Sequence, residues 1–458
     1  MKKILTMLSF LTVMSLQAQT SYTLDSTVLT SRIVIDGIDI PWEIIWGPDD
    51  QIWMTERYGR VSRVNPLTGQ QTVILDLSAS VYDQSEAGLL GMILHPDFSN
   101  QPFVYLVYTY QTGGNVRERL VRYNYNGTAL VSPQTLIDNI IGNTTHNGAR
   151  LLILPDNTLL MTTGDAQNTS SPQNVNSLSG KVLRLNLDGT IPADNPNPAS
   201  YVYSWGHRNA QGFCLAPNGL VYASEHGPTT DDELHIIKKA HNYGWPTVAG
   251  FCNTTTEINF CNDSSVVEPL VAWTPTIAPS DMVWYTHPSI PEFQDKLIMT
   301  VLKDKRVISF GFNAAGDSVI SQNHYLINQL TRLRDICVSP DGKIYLATNG
   351  NSWSNTAPFT HRIVELYNAA YTVPSSVANI EQNIVKVWPN PITKGQALQI
   401  DAQGADSGLL RIFDLSGREI LNREFSANSI ETDLNAGVYF YNIQLSNGKT
   451  ASGKLICK

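Results

Sequence analysis

Charge is scarce in this sequence. Lys, Arg, Asp and Glu make up 16% of 458 residues, against roughly 25% in an ordinary soluble domain. What charge exists is mostly acidic, 40 carboxylates against 31 basic side chains, a net −9. That balance excludes a globally basic protein built to hold nucleic acid. Cysteine is rarer still. Five residues, without a Cys-x-x-Cys or His-x-x-x-His pair, exclude a disulfide-stapled miniprotein and argue against a structural zinc. Beyond the first residues no run approaches the 18 or more apolar positions of a membrane-spanning helix, so no membrane span is expected. What is plentiful is glycine (31) and proline (24), the punctuation of turn-rich β structure.

The first residues read as an export signal. Met1, Lys2 and Lys3 give a positive start, Ile4 to Leu16 an apolar stretch too short to cross a bilayer, and Ala18 a small residue suited to cleavage. Residues 1–18 are therefore expected to be a signal peptide, and the protein to be secreted or held at the cell surface. Export permits disulfides, and Cys252 and Cys261, bracketing a short polar loop from Asn253 to Phe260, are the expected pair. Cys214, Cys337 and Cys457 have no evident partner.

A repeat runs through most of the chain. A Pro-Asp/Asn turn followed by an apolar strand recurs at Pro48, Pro96, Pro155, Pro217 and Pro340, at separations of 48, 59, 62 and 123 residues. Pro279-Ser280-Asp281 falls midway across the last, double step. Six such turns predict six radially repeated sheets, a six-bladed β-propeller. Around residues 369–384 the sequence becomes small and polar, as in a linker. Beyond it, Leu409 to Phe413, Gly437 to Ile443 and Gly453 to Ile456 read as strands of a small C-terminal β-sandwich.

Three segments carry candidate chemistry. In Thr331-Arg332-Leu333-Arg334-Asp335 the two guanidiniums share one face of a strand; with Lys303 and Arg208 they suit a multiply anionic small ligand, or else form a solvated edge. In Ser224 to Glu233, three adjacent carboxylates follow Gly227-Pro228. Their hard oxygens suit calcium, or the segment is a plain exposed turn. His146 precedes a strand and Asp165 follows the next one, the placement of an oriented general base or of a structural histidine.

The chain from about Thr30 to Leu366 resembles the soluble pyrroloquinoline quinone (PQQ) dependent glucose and sorbosone dehydrogenases, which are six-bladed propellers. The resemblance rests on nine segments in order: Glu86 to Gly91 with His95 to Phe98, His146 to Leu151, Gly164-Asp165, Gly206 to Gly212, Glu225 to Glu233, Asn242 to Pro246, Pro275 to Ser280, Leu302-Lys303, and Arg332 to Asp335. It implies that His146 takes the proton of a sugar's anomeric hydroxyl, that Asp165 orients it, and that Arg208 stabilises charge developing on the cofactor. It further implies that Arg208, Asn209, Thr276, Lys303, Arg332 and Arg334 hold PQQ. The carbonyls of Gly227 and Pro228 would bind a calcium, and Asp232, Glu233 and Tyr243 a second one. Glu86 stands where glucose-specific members carry Gln, Thr145 where an acidic residue precedes the histidine, and Thr274 where an aromatic ring often packs. The Glu86 change favours an aldose enzyme over a glucose-specific one.

The tail resembles the C-terminal sorting domain of the type IX secretion system, on Pro389-Asn390-Pro391, Asp414 to Arg418, Leu434 to Tyr439 and Gly453 to Ile456. The implied organisation is residues 1–18 signal peptide, 19–368 dehydrogenase propeller, 369–384 linker and 385–458 sorting domain. The implied partners are a sugar, an external electron acceptor such as a quinone or haem protein, and the secretion machinery. A noncatalytic binding propeller, like the hedgehog-interacting-protein relatives, and a calcium-dependent lactonase are the alternatives. The first has no need of His146, Arg208, Lys303, Arg332 and Arg334 together, and the second needs a central set of carboxylate and amide ligands.

Overall fold

Short apolar runs broken by Pro-Asp and Gly turns become antiparallel strands throughout. The computed structural model describes residues 20–351, 361–372, 385–402, 407–415, 417–426, 429–446 and 450–458. The expected signal peptide (1–18) and residues 373–384 of the expected linker lie outside the described residues. The chain divides into two compact units, Met1–Tyr371 and Thr372–Lys458. No helix among the described residues is long and apolar enough to cross a membrane.

The first unit holds six sheets among the described residues. The first comprises Pro41–Trp46, Ile52–Glu56, Arg60–Val64 and Gln71–Asp76; the second Leu89–Leu94, Phe103–Thr112, Asn115–Tyr125 and Leu130–Ile141; the third Gly148–Ile153, Thr158–Thr163, Lys181–Asn186 and Val202–Trp205. The fourth comprises Ala210–Leu215, Val221–Glu225, Asp232–Ile236 and Val271–Trp273; the fifth Pro279–Tyr285, Lys296–Val301, Arg306–Phe312 and Val319–Tyr325. The sixth is built from both ends of the unit: Leu333–Val338, Ile344–Thr348 and His361–Tyr367 continue into Val28–Ile38 and Thr20–Thr23. The first strand of each sheet lies against the first strand of the next, and that of the sixth against that of the first, closing a ring.

Every sheet packs a face against its neighbour. Trp53 and Val61 of the first sheet meet Leu89 and Met92 of the second; Tyr105 and Val107 meet Leu151 and Met161 of the third; Tyr345 and Ala347 of the sixth meet Ile44 and Met54 of the first. A sheet covered on both faces needs apolar residues on both. Ile52–Glu56, Thr158–Thr163, Val221–Glu225 and Ile344–Thr348 are accordingly buried along their whole length.

Five of the six anticipated turns join the first strand of a sheet to its second. They place Asp50, Asn157, Gly219 and Gly342 at positive φ, where these residue types carry little strain. The sixth does not. Pro279 opens the strand Pro279–Tyr285, a position where a missing N–H is tolerated, and the turn falls instead between Tyr285 and Lys296. The segment between Cys252 and Cys261, which are bridged as expected, is also not the anticipated loop. It leads into the helix Thr255–Ser264, started by a capping box in which Thr254 and Glu257 serve each other's backbone N–H groups.

In the second unit a three-stranded sheet (Val385–Trp388, Ala397–Ala402, Ser429–Glu431) and a four-stranded sheet (Glu419–Phe425, Gly408–Phe413, Gly437–Leu445, Thr450–Cys457) share one core. Leu398 and Ile400 from the first meet Leu410, Ile412, Ile443 and Leu455 from the second.

Candidate active site

One rule of position gathers the polar residues. Glu86, His146, Arg208, Asn209 and Arg332 each stand just before the first strand of a sheet, while Arg57, Asp165 and Lys303 stand just after a second strand. In an antiparallel sheet those two points are adjacent, so all of them arrive at the same end of the ring. A cavity of about 630 Å³ opens there, with Trp42, Leu90 and Leu302 as apolar walls and Arg57, Lys303, Arg332, Arg334 and Glu86 as its charges.

At its edge lies an imidazole held on both nitrogens. His146 adopts φ 57°, and the chain passes so close that a Cβ on Gly164 would stand 1.8 Å from the His146 carbonyl oxygen, so glycine is required there. His146 Nδ1 lies 2.8 Å from Asp165 Oδ1 and His146 Nε2 lies 3.1 Å from Arg208 Nη2. A guanidinium can only donate. Nε2 is therefore the acceptor, and Nδ1–H donates to the carboxylate. Asp165, 1% exposed, also accepts from Trp245 Nε1 at 2.9 Å and from the Gln167 amide at 2.8 Å. The His146 amide in turn donates to Glu86 Oε2 at 3.1 Å, and Arg208 Nη1 donates to the His226 carbonyl at 2.9 Å.

The cations facing the cavity are poorly served. Arg334 gives one bond to Gln211 Oε1 at 2.8 Å, yet its Nε, like those of Arg332 and Arg57, is buried without a partner among the described residues. Burial, then the charges of Arg150 and Arg332, pull the Arg334 guanidinium down to about 9. Burial also lowers Arg208 and Arg332. Lys303 Nζ donates to Thr276 Oγ1 at 2.8 Å. Asn209 Oδ1 accepts from the Gly148 amide at 3.1 Å and from Gln211 Nε2 at 3.1 Å. Asp335, on the opposite face from Arg334, joins Glu43 and Asp281 around the buried Arg150 guanidinium.

The acidic segment is folded back on itself. Asp232 accepts the amides of Gly227 (2.8 Å), Ile277 (2.6 Å) and Ala278 (2.6 Å), tying that turn to the segment carrying Thr276. The carbonyl oxygens of Gly227 and Pro228 receive no hydrogen bond among the described residues. Glu233 pairs with His235 Nε2 at 2.6 Å, and the Tyr243 hydroxyl is held by the Ile236 carbonyl and the Lys238 amide. Neither Glu233 nor Tyr243 lines the cavity. Arg57, Trp42, Gln211 and Trp245 take part in the site without having been singled out; Gln211 and Trp245 lie within matched segments, whereas Arg57 has no local signature.

The family described as glucose/sorbosone dehydrogenase matches residues 38–354, and the secretion system C-terminal sorting domain matches 386–458. The quinoprotein glucose dehydrogenase B of Acinetobacter calcoaceticus is 38% identical over 252 residues, 48% of this chain and 53% of that protein. The match thus spans about half of that relative's length. The aldose sugar dehydrogenase of Escherichia coli strain K12 is 28% identical over 338 residues, 70% of this chain and 90% of that one. The PQQ-bound structure of an aldose sugar dehydrogenase from Streptomyces coelicolor superposes with a TM-score of 0.62 at 28% identity, covering 74% of this chain and 98% of the other. By its matched residues, its nearly all-β architecture and the polar cluster at one end of its ring, the chain belongs to the glucose and sorbosone dehydrogenase family of oxidoreductases.

Proposed function

We propose that this protein is a PQQ- and calcium-dependent dehydrogenase that oxidises aldose sugars at the anomeric carbon to lactones and passes the electrons to an external acceptor. The observation that carries the reading is the His146–Asp165 pair standing at the edge of a cavity where Arg57, Lys303, Arg332 and Arg334 face the single carboxylate of Glu86. The closed ring of six sheets reads as a six-bladed propeller spanning residues 19–368, with 369–384 as linker. The two sheets around one core read as a sorting sandwich over residues 385–458.

The residues present fit the cofactor. Two buried, unpartnered guanidinium nitrogens on Arg332 and Arg334, with Lys303 from the neighbouring sheet lining the same cavity, match a tricarboxylate, and Trp42 and Leu302 suit a flat ring system. Asn209 and Thr276 do not line the cavity; they are proposed to act on the cofactor beside Gln211 and Lys303, to which they are hydrogen-bonded. The uncommitted carbonyls of Gly227 and Pro228 suit a calcium beside it. Asp232, Glu233 and Tyr243 are proposed to support a second one. When bound, PQQ supplies a two-electron acceptor for the hydride leaving the sugar.

The chain's own work is proton handling and charge placement. Asp165 fixes the tautomer that leaves a lone pair on His146 Nε2, and a sugar hydroxyl replaces Arg208 as its donor. As the proton moves to Nε2, the buried carboxylate stabilises the imidazolium. Arg208, released from that contact and still anchored on the His226 carbonyl, offers its donors to negative charge developing in the cavity. Glu86, held by the His146 amide, presents its second oxygen to sugar hydroxyls. A binding-only propeller leaves this relay without purpose. Reconstitution of the protein with PQQ and calcium, followed by dye-linked oxidation of a panel of aldoses, tests the reading. Turnover that requires both additions supports it, and failure to bind PQQ overturns it.

A further inference from the structure

Lys181 is wholly buried, at 0% exposure, in a sheet interior where an ammonium is expensive unless fully hydrogen-bonded. Its Nζ lies within hydrogen-bond distance of three backbone carbonyls, Ser171 at 2.8 Å, Pro172 at 2.9 Å and Ser179 at 2.8 Å, an acceptor set that suits an ammonium even as burial pulls the amine down to about 7. Those carbonyls belong to the excursion between the strands Thr158–Thr163 and Lys181–Asn186, which begins by delivering Asp165 to His146. The Pro172 carbonyl also accepts the Gly206 amide at 3.1 Å, two residues before Arg208. The Gly180 amide and carbonyl bond to Gly164 and His207. Gln173, on the same excursion, donates to Asn242 Oδ1 and to the carbonyl of Trp245, whose indole holds Asp165. The ammonium thus sits between the segment that carries Asp165 and the one that carries Arg208.

We infer that Lys181 is a positioning residue for catalysis, whose ammonium clamps the Asp165 excursion to the Arg208 segment and so sets the His146–Asp165–Arg208 geometry. The inference rests on the proposed role of His146 as base. No other side chain offers three donors from one point. Methionine fills a similar volume yet removes a donor from all three carbonyls, leaving that of Ser179 unserved among the described residues and those of Ser171 and Pro172 with only the Asn174 and Gly206 amides, and a displacement of about 1 Å in a catalytic group lowers turnover about 100-fold.

The test compares Lys181→Met, Gln173→Ala, Asp165→Asn and the double variant Lys181→Met/Asp165→Asn in the full-length protein. In Lys181→Met, kcat is expected to fall about 100-fold while KM and PQQ affinity stay within about twofold. Acting through Asp165, the change should add less than about threefold in the Asp165→Asn background. A readout independent of turnover is amide exchange in the cofactor-free protein, where peptides covering 164–181 and 205–208 should exchange faster and those of the fifth sheet should not. Gln173→Ala, at a half-buried position, should give the same pattern more weakly, and it decides the matter if Lys181→Met does not fold. Unchanged kcat in the folded variants, or fully multiplicative effects with Asp165→Asn, would overturn the assignment. Unchanged turnover in Asp165→Asn itself would instead remove the base assignment.

Discussion

Replacing Asp165 by Asn removes one charge and one acceptor from a site where both carboxylate oxygens are engaged. If the amide oxygen keeps His146 Nδ1 and Gln167 N, the amide NH₂ faces the Trp245 indole N–H, two donors in contact. If the amide is flipped, its NH₂ faces Nδ1 and drives the proton to Nε2, which then meets the Arg208 guanidinium, again donor to donor, and can accept nothing from a substrate. The same exchange in a serine-protease triad lowers turnover about 10,000-fold by holding the wrong tautomer. Here the His146 side chain is 19% exposed and keeps some freedom to recover the useful tautomer. The expected loss in kcat is therefore about a thousandfold, or about 4 kcal/mol of barrier. Steady-state dye-linked kinetics on the PQQ- and calcium-loaded protein measures it, with PQQ titration as control. Turnover within about threefold of the parent, with cofactor affinity unchanged, refutes the assignment of His146 and Asp165 as base and orienter.

Arg334→Met should lower PQQ affinity about tenfold to a hundredfold, the worth of a charge-assisted hydrogen bond. It should leave the cofactor-free protein no less stable by thermal unfolding, because the strained cation is gone; a marked destabilisation without PQQ would contradict the fit. Chelation of calcium should abolish turnover and lower the melting temperature, both restored by added calcium; chelator-resistant turnover would remove the Gly227 and Pro228 assignment. Glu292 accepts the Ser26 and Thr27 amides and both their hydroxyls, and these bonds, against the opposing effect of burial, hold its carboxyl down to about 2. A depressed carboxylate contributes stability above its ordinary range near 4.5 that is lost as pH falls through about 2. Glu292→Gln should therefore lower the melting temperature at pH 7 and have a much smaller effect near pH 2, and an equal effect at both pH values would contradict it.

Local chemistry made part of this structure legible. Pro-Asp turns locate five of six inner hairpins because a turn is fixed by four residues. His146 and Asp165 could be paired because each flanks a strand of one hairpin, whose register sets Gly148 opposite Thr163. Arg332 and Arg334 turn toward the cavity and Leu333 and Asp335 away, as strand alternation requires. The helix Thr255–Ser264 lay hidden in a polar segment with no buried face. Lys181, Arg57 and the Arg150 cluster were invisible for another reason. Arg150, Glu43, Asp281 and Asp335 come from four different sheets, so only ring closure makes them neighbours.

That closure also sets an order of events. The sheet that seals the ring pairs Arg32 with Glu365, 333 positions apart, and contacts of such separation form late because the loop entropy must be met first. The first strand of that sheet, Leu333–Val338, begins one residue after Arg332 and contains Arg334. A nascent chain short of this point has five sheets and carries Arg57, Arg208 and Lys303 but neither Arg332 nor Arg334. On the proposed reading, full cofactor affinity then waits on completion of the fold, and a chain trapped before closure should bind PQQ more weakly than the closed ring.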